Sequence, residues 1–383
     1  MEKYDVVIVG GSCAGAAAAH TLAANGRRVL VIDKAVFPRK KLCGGLLTEK
    51  AIPLIEEIYG GVAREDFVLM GSSTFGIYHA DLGKICKLND PVERFFAIDR
   101  AGFDHYFLEK ARAAGCTLLC GHAVKEAGQG HVVLDNGDVL SGDFIIGADG
   151  PYSVVRRAVS PHVKKTEFAI GIEVDIPYEH LTCFGGDGDV YPQIYFGFIN
   201  AGYGWVFPKP SFATVGMGGL TRSNGRNMKD HFRLFLRRLL KDGSMMPTRL
   251  SGYPIPFHNF MKEPGKGNVL LAGDAAGLVE PITGEGMYFA MLSGRLAAEA
   301  ILSEKDALAA YIEAFRSKIY PLFRQALWLR KAFYHRRMSL FAMHKLRSNA
   351  KYCKYYLDLM SGAIDYKGYL CLALKDRNHY PTE

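Results

Sequence analysis

The stretch YDVVIVGGSCAGAAAAHTLAANGRRVLVID, residues 4–33, decides the fold. Tyr4 to Val9 is an apolar, β-branched run of the length of a buried strand. It ends in Gly10-Gly11-Ser12-Cys13-Ala14-Gly15. Ala16 to Asn25 then carries helix formers and stops at Gly26, and Arg28 to Ile32 is a second apolar strand ending at Asp33. Strand, glycine turn, helix, strand is a βαβ unit, which implies a parallel sheet covered by helices. The turn and the helix end that begins near Ala14 present backbone N–H groups and a positive dipole to an anion.

In the fingerprint G-x-G-x-x-G the glycines serve the tight turn, the approach of phosphate and close helix–strand packing. Gly10 and Gly15 hold the first and third places, while Ser12 replaces the second glycine. A serine is small and can donate a hydrogen bond to phosphate, so the site reads as modified rather than lost. Asp33 follows Gly15 by 18 residues, near the ~20 at which a carboxylate accepts ribose hydroxyls. It would repel a 2′-phosphate, which favours FAD or NAD over NADP. Cys13, Ala14 and Lys34 flank these positions.

Two later segments extend the pattern. Ile145-Ile146 enters Gly147-Ala148-Asp149-Gly150, followed by Ser153, Arg156 and Arg157. Val269 to Ala272 is a buried strand that enters Gly273-Asp274-Ala275-Ala276-Gly277, then Pro281, Gly284, Glu285, Gly286 and a helix to about Leu302. Asp274, at a strand end, can hold ribityl or ribose hydroxyls. The helix after Gly286 can stabilise negative charge on a reduced flavin ring. Each Gly-Asp pair alone is more often an ordinary turn; the three segments together point to FAD.

Elsewhere the basic run Phe37 to Lys41 leads into Leu42-Cys43-Gly44-Gly45. Residues 61–95 read as a strand-rich layer, and a helix spans Phe103 to Ala114. Residues 117–146 hold short strands with a turn at Asn136-Gly137. Residues 168–220 alternate as an antiparallel sheet, and the chain is helical past residue 307. The fold class is therefore α/β: a Rossmann-like FAD-binding domain, an inserted mixed or antiparallel β-sheet substrate domain, and a helical C-terminal segment. The corresponding bounds are 1–60, 96–165 and 262–310 for the first, 61–95 and 166–261 for the second, and 311–383 for the third.

Among 383 residues, 49% are hydrophobic, enough for more than one domain. The formal charge of +8 is local. Residues 316–354 hold eleven Lys and Arg and no acid, which leaves −3 for the remainder. The body is not a nucleic-acid surface, and no zinc-finger or RNA-binding signature is present. None of the eight cysteines forms a C-x-x-C, so neither a metal site nor an iron–sulfur cluster is expected. Cysteine usage fits a reducing, cytoplasmic compartment. The chain is expected to carry no signal peptide, because a strand starts at once. The apolar run Val6 to Ala19 is too short to span a bilayer.

These motifs resemble the flavoprotein superfamily of p-hydroxybenzoate hydroxylase, and within it the geranylgeranyl reductase family, including digeranylgeranylglycerophospholipid reductases. The resemblance covers roughly residues 3–310. Tyr203-Gly204-Trp205-Val206-Phe207-Pro208-Lys209 looks like that family's Y-x-W-x-F-P-K signature. Leu42-Cys43-Gly44, Arg100-x-x-x-Asp104 and Asp274…Gly284-x-Gly286 also look like family motifs. The resemblance implies that Ala14, Asp33, Cys43, Gly44, Arg100, Asp274, Gly286 and Met287 touch FAD. Ala123 or Val124 would meet the adenine end, and Asp149 and Gly150 would shape the cleft. With Gly10, Ser12, Cys13, Gly15, Lys34, Gly273 and Gly284, these are the candidate cofactor residues. Tyr203, Trp205, Phe207 and Pro208 would line a prenyl cavity. Read without the resemblance, the same rings suit either a long apolar substrate or ordinary sheet core. Departures from the family pattern are Ser12 and a short chain after the core.

The implied reaction is saturation of C=C bonds in a geranylgeranyl chain on a lipid, diphosphate or quinone. It needs a hydride from flavin N5 and a proton. Cys43, Tyr203 and Glu280 are candidate acids by their nearness to motifs. Cys43 also suits simple packing against the flavin. The electron donor would be NAD(P)H or a ferredoxin-like protein, since no second dinucleotide fingerprint is present. The rival reading is an FAD-dependent monooxygenase acting on an aromatic or polyketide-like substrate. The basic, aromatic stretch 316–354 suits either an anionic membrane surface or a solvated helical layer. The protein would then be cytoplasmic or peripheral on the inner face of a membrane.

Overall fold

The computed structural model describes residues 3–160, 168–184, 189–241, 246–248, 250–257, 259–303 and 306–375. The end of the expected helical segment, 376–383, lies outside the described residues. Lys3–Val9 and Val29–Asp33 pair in parallel, with the Cys13–Ala24 helix between them. That helix starts three residues before Ala16, because Ser12 takes extended backbone and its carbonyl accepts the first helical bond from Ala16 N at 2.8 Å, with no side-chain cap. Cys13 to Ala19 are all buried, which their small side chains permit. A β-carbon on Gly15 would stand 1.8 Å from the Gly10 carbonyl oxygen, so the turn closes only on glycine. The Met287–Leu302 helix crosses at the same closeness: a β-carbon on Gly294 would lie 2.1 Å from the Ala14 carbonyl oxygen.

Parallel pairing continues outward. Val139–Gly147 joins Lys3–Val9 to Val269–Leu271, and Thr117–Cys120 flanks Val29–Asp33. Val6, Val7, Ile8, Ile145, Ile146, Val269 and Leu270 are essentially inaccessible, each contributing about 1.5–3 kcal/mol of burial. Because these strands run the same way, Gly10, Asp33, Ala148 and Gly273 all emerge at one rim, where open α/β sheets bind ligands. The Arg100–Ala113 helix begins at Arg100 rather than Phe103, since the Asp99 carboxylate caps it by accepting from Gly102 N at 2.7 Å.

A second, seven-stranded sheet runs in the order Gly252–Ile255, Ala169–Pro177, Phe212–Leu220, Gly202–Pro208, Gln193–Phe196, Thr74–His79, Gly83–Asn89. All pairs are antiparallel except Gln193–Phe196 with Thr74–His79, which is parallel. That pair unites the two stretches 61–95 and 168–220 in one layer. One face packs on the Met228–Leu239 helix through Ile172, Val206, Val215, Met217, Phe232 and Phe235. The other face looks toward the first sheet. Leu46–Thr48, Phe95–Ala97 and Met70–Ser72 form a small antiparallel sheet that crosses the expected boundaries at 60/61 and 95/96. The C-terminal helices close the far edge. Met343, Leu346, Tyr352, Tyr356 and Leu357 pack on Phe75, Ile77, Ile85 and Phe95.

Candidate active site

A cleft, open to solvent at its mouth, runs from the rim of the first sheet to the inner face of the second. Its phosphate-sized end is built on Ser12, Cys13, Ala14, Lys41 and Arg100. Below lies Asp104, fully buried. Its carboxylate accepts from Ser12 Oγ at 2.9 Å and from Arg100 Nη2 at 3.0 Å, with the Arg39 guanidinium 3.1 Å away. Burial alone would raise the Asp104 pKa, but Arg100, Lys41, Arg39 and the Ser12 hydroxyl outweigh it and hold the group below the usual range. Three cations face one carboxylate beside a helix N-terminus, so the wall keeps an excess of positive charge suited to a diphosphate. Ser12 does not aim its proton outward. It donates to Asp104 and accepts from Arg100 at 3.1 Å and Lys41 at 3.4 Å.

The neighbouring strand ends form the nucleoside side. The Asp33 carboxylate accepts from Gly11 N at 2.8 Å and Ala35 N at 2.9 Å, which fixes it at the rim. Ala123 and Val124 follow the strand that pairs with it, and Lys34 is exposed. These four lie beyond the lining of the cleft, as do Gly10 and Gly15, which shape the turn. Gly150 lines the cleft, but Asp149 turns inward. Its carboxylate accepts from Ser153 Oγ and from Val154 N at 2.6 Å, and burial raises its pKa despite these bonds. Asp149 thus anchors the Val155–Val159 helix.

Opposite, Asp274, Gly273, Thr283, Gly284, Glu285, Gly286 and Met287 line the wall. Glu285 is held by Thr48 and Lys50. Glu280 is sealed behind this turn. Oε2 accepts from Ile282 N at 3.0 Å and from the Thr283 hydroxyl at 2.6 Å, and Oε1 from the Tyr366 hydroxyl at 2.7 Å. Burial raises its pKa, but it does not meet the cleft.

The roof is the inner face of the second sheet. Strand alternation puts Tyr203, Trp205, Phe207 and Lys209 on it and sends Pro208, which does not line the cleft, to the other side. Ile194, Phe75 and Phe95 extend the apolar wall, with Met360 from a C-terminal helix. The 42–45 loop lies across the roof. A β-carbon on Gly44 would be 2.6 Å from the Phe207 ring, and the Gly44 and Gly45 carbonyls accept from Lys209 Nζ at 2.9 and 2.7 Å. Burial brings the Lys209 pKa down to about 8. Cys43 N donates to Glu173 Oε1 at 2.7 Å, and burial pushes Glu173 up to about 7.

A cofactor with a diphosphate, an adenosine end and a flat ring therefore fits the charge, the glycine cradle and the roof. Residues 3–180 match the family model of the FAD binding domain. Geranylgeranyl diphosphate reductase of Rhodobacter capsulatus is 32% identical over 317 residues, covering 79% of this chain and 76% of that one. The chain belongs to the geranylgeranyl reductase family. It is an FAD-dependent oxidoreductase. Digeranylgeranylglycerophospholipid reductase of Methanococcus aeolicus is 25% identical over 350 residues, with 86% of each chain covered. The fold agrees with a geranylgeranyl bacteriochlorophyll reductase-like protein from Thermoplasma acidophilum, at a TM-score of 0.78, 21% identity and coverage of 99% and 98%. It is shared beyond the reductases: 2-methyl-3-hydroxypyridine-5-carboxylic acid oxygenase superposes at 0.66 with 19% identity, covering 87% of this chain and 91% of that one.

In this geranylgeranyl reductase family member, the residues missed by motif reading are Glu173, Ile194, Phe75, Phe95 and Met360. Glu173 had a usable signal. It shares parity with Ala169, Gly171 and Asp175, so two carboxylates stand on the strand face opposite Ile170, Ile172 and Val174. The others come from separate elements, and only the parallel pairing of distant strands brings them together.

Proposed function

We propose that this protein saturates double bonds of a geranylgeranyl-type chain carried on a lipid, a diphosphate or a quinone. The observation that carries the proposal is the apolar roof of Tyr203, Trp205, Phe207, Ile194, Phe75 and Phe95 directly against the glycine loop of the cofactor cleft. Bound, reduced FAD supplies a hydride. Ser12, Cys13, Ala14, Arg100 and Lys41 would hold its diphosphate; Asp33, Lys34, Ala123 and Val124 its adenosine; Gly44, Asp274, Gly286 and Met287 its ring and ribityl chain. The roof would lay a flexible chain along one line and keep water from it, as an unactivated alkene requires. The electron donor would be NAD(P)H or a ferredoxin-like protein. Bounds of 1–60, 96–165 and 262–310 for the cofactor unit, with 61–95 and 166–261 for the substrate unit, suit this division of work.

The test is anaerobic incubation of the dithionite-reduced protein with geranylgeranyl lipids, geranylgeranyl diphosphate and prenylquinones. Mass gains in hydrogen pairs are the expected result. Oxygen uptake coupled to product formation, with no prenyl reduction, would replace the reading by that of a monooxygenase.

A prenyl-lipid substrate must leave a bilayer, and the C-terminal helices offer a contact for one. Trp328, Phe341 and Met338 are 74%, 64% and 53% exposed. Arg324 and Lys331 flank Trp328 on one helix face, and Lys345 lies over the Phe341 ring at 5.8 Å. Among the described residues no helix is long and apolar enough to cross a membrane. Docking on anionic lipid at the inner face of a membrane, with rings at the interface and cations at headgroups, suits this surface.

A further inference from the structure

The inner face of the second sheet carries a row made of Glu173, Gly216 and Trp205, facing one another across three strands. Gly216 leaves its place to the indole, since a β-carbon there would stand 2.3 Å from the ring. Two polar atoms of this row are buried without a hydrogen-bond partner: Oε2 of Glu173 and Nε1 of Trp205. Both sit against the same loop. Oε1 of Glu173 accepts from Cys43 N at 2.7 Å, and Nε1 of Trp205 is 3.0 Å from where a β-carbon of Gly44 would stand. Buried polar atoms are rarely left unpaired, and such pairs persist where a water, a ligand or a proton completes them.

Cys43 and Asp274 also line the cleft, and the remaining acids nearby are committed. The Tyr203 hydroxyl donates to the Thr283 carbonyl, Glu285 is held by Thr48 and Lys50, and Glu280 lies behind the turn. Glu173 is not itself a lining residue; it stands behind Cys43 and Trp205, which are. We propose that Glu173 supplies the proton of the reduction through one water taken up between its carboxyl and the Trp205 indole. This rests on the prenyl-reductase reading. One alkene carbon would take the hydride, with both its electrons, that bound reduced FAD supplies, and the external electron donor would reduce the cofactor again. The other carbon takes the proton: the Glu173 O–H bond breaks, a C–H bond forms, and the carboxylate left behind regains a proton from solvent. Burial supports the protonated state, raising the Glu173 pKa to about 7. The Cys43 N–H, Lys209 and Arg100 pull it down, and Asp175 pushes it up.

The experiment compares wild type, Glu173→Gln and Glu173→Asp, each reduced with dithionite and mixed anaerobically with the prenyl substrate that wild type accepts. Glu173→Gln keeps the acceptor for Cys43 N but holds no acidic proton. Its reduction of the alkene should be on the order of 100-fold slower or more, with FAD content and substrate affinity unchanged, and Glu173→Asp should recover part of the rate. The wild-type rate should fall as pH rises through about 7, and the variant should lack that fall. Infrared difference spectra between about pH 6 and pH 8 should show a carboxyl titration in wild type that Glu173→Gln lacks, with no turnover required. Wild-type rate and pH profile in the Gln variant overturn the proposal. So does a wild-type infrared spectrum without this titration, a readout that stands even if the Gln variant fails to fold. If wild type saturates no prenyl chain at all, the prenyl-reductase reading fails and takes the proposal with it. A failure confined to the Glu173 variants leaves that reading standing.

Discussion

Tyr203 donates its hydroxyl hydrogen to the backbone carbonyl of Thr283, tying the roof of the cleft to the turn that opens the Met287–Leu302 helix. Two more tyrosines reach the same turn from the C-terminal helices. Tyr334 donates to the Ile282 carbonyl at 2.9 Å and Tyr366 to Glu280 at 2.7 Å. The C-terminal layer is thus joined to the wall that Thr283 to Met287 present to the cofactor. Tyr203→Phe leaves that part-buried carbonyl without its donor. We predict a loss of about 1–3 kcal/mol in urea unfolding and a weaker hold on FAD in equilibrium dialysis. Unchanged values for both would show that the bond fixes nothing.

Gly44 lies under the Phe207 ring with no room for a side chain. Gly44→Ala must push the ring or the loop aside, at a cost of about 1–3 kcal/mol. The expected outcome is a protein that folds but takes up less FAD, seen in its visible absorbance per mole of chain. Full flavin content would place the loop away from the ring.

Buried Asp104 neutralises part of the charge of buried Arg100 and of half-buried Arg39 and Lys41. Asp104→Asn leaves those cations without their carboxylate and should cost about 3–5 kcal/mol at neutral pH. The sign with pH follows from its lowered pKa. The carboxylate stabilises the fold above the ordinary carboxyl range, and that contribution disappears as pH falls through the depressed value. Denaturation of wild type and variant should therefore differ widely at neutral pH and converge in acid.

Glu173 predicts the opposite slope. Its pKa is raised from 4.5 to about 7 by burial, so the folded state holds the proton more tightly than the unfolded chain. Its protonated form costs the fold nothing below the ordinary value, and stability is lost as pH rises through that window, by up to about 3 kcal/mol. Glu173→Gln should melt near the wild-type temperature in mild acid and above it in mild alkali. Parallel melting curves at all pH values would count against a buried, titrating Glu173.

Truncation after Glu313 would remove Phe315, Ile319 and Phe323, all fully buried in the main core, so the membrane question belongs to surface variants. Trp328→Ser with Phe341→Ser should reduce sedimentation with phosphatidylglycerol-containing vesicles by about tenfold or more, given the apolar area withdrawn from the interface. Melting temperature should not move. Equal binding by wild type and variant would assign this face to solvent.

Much of the cofactor end was legible in the chain because it is local. Gly10, Gly15 and Asp33 sit within one βαβ unit, where backbone sterics prescribe glycine and strand ends prescribe the acid. Asp149 and Glu280 show the limit of motif reading. Both fall beside glycine-rich turns, yet both spend their oxygens on nearby backbone and hydroxyl groups. Which way a carboxylate points is decided by neighbours, here Ser153 and Thr283, and not by the turn it follows. Pro208 likewise belongs to the aromatic signature but falls on the face away from the cleft, because side chains alternate along a strand.

The sequence by itself determined the parallel sheet, the anion-binding turn and the aromatic strand, since each depends on residues within a turn or two of one another. The tertiary structure alone decided the roof. The parallel pairing of Gln193–Phe196 with Thr74–His79, across more than a hundred residues, brought Phe75 and Ile194 to the same wall as Trp205. It also set Glu173 against Cys43, 130 residues away. Burial at that contact, rather than any local pattern, makes Glu173 an acid near neutral pH, because low polarity disfavours the charged form wherever chain folding removes water.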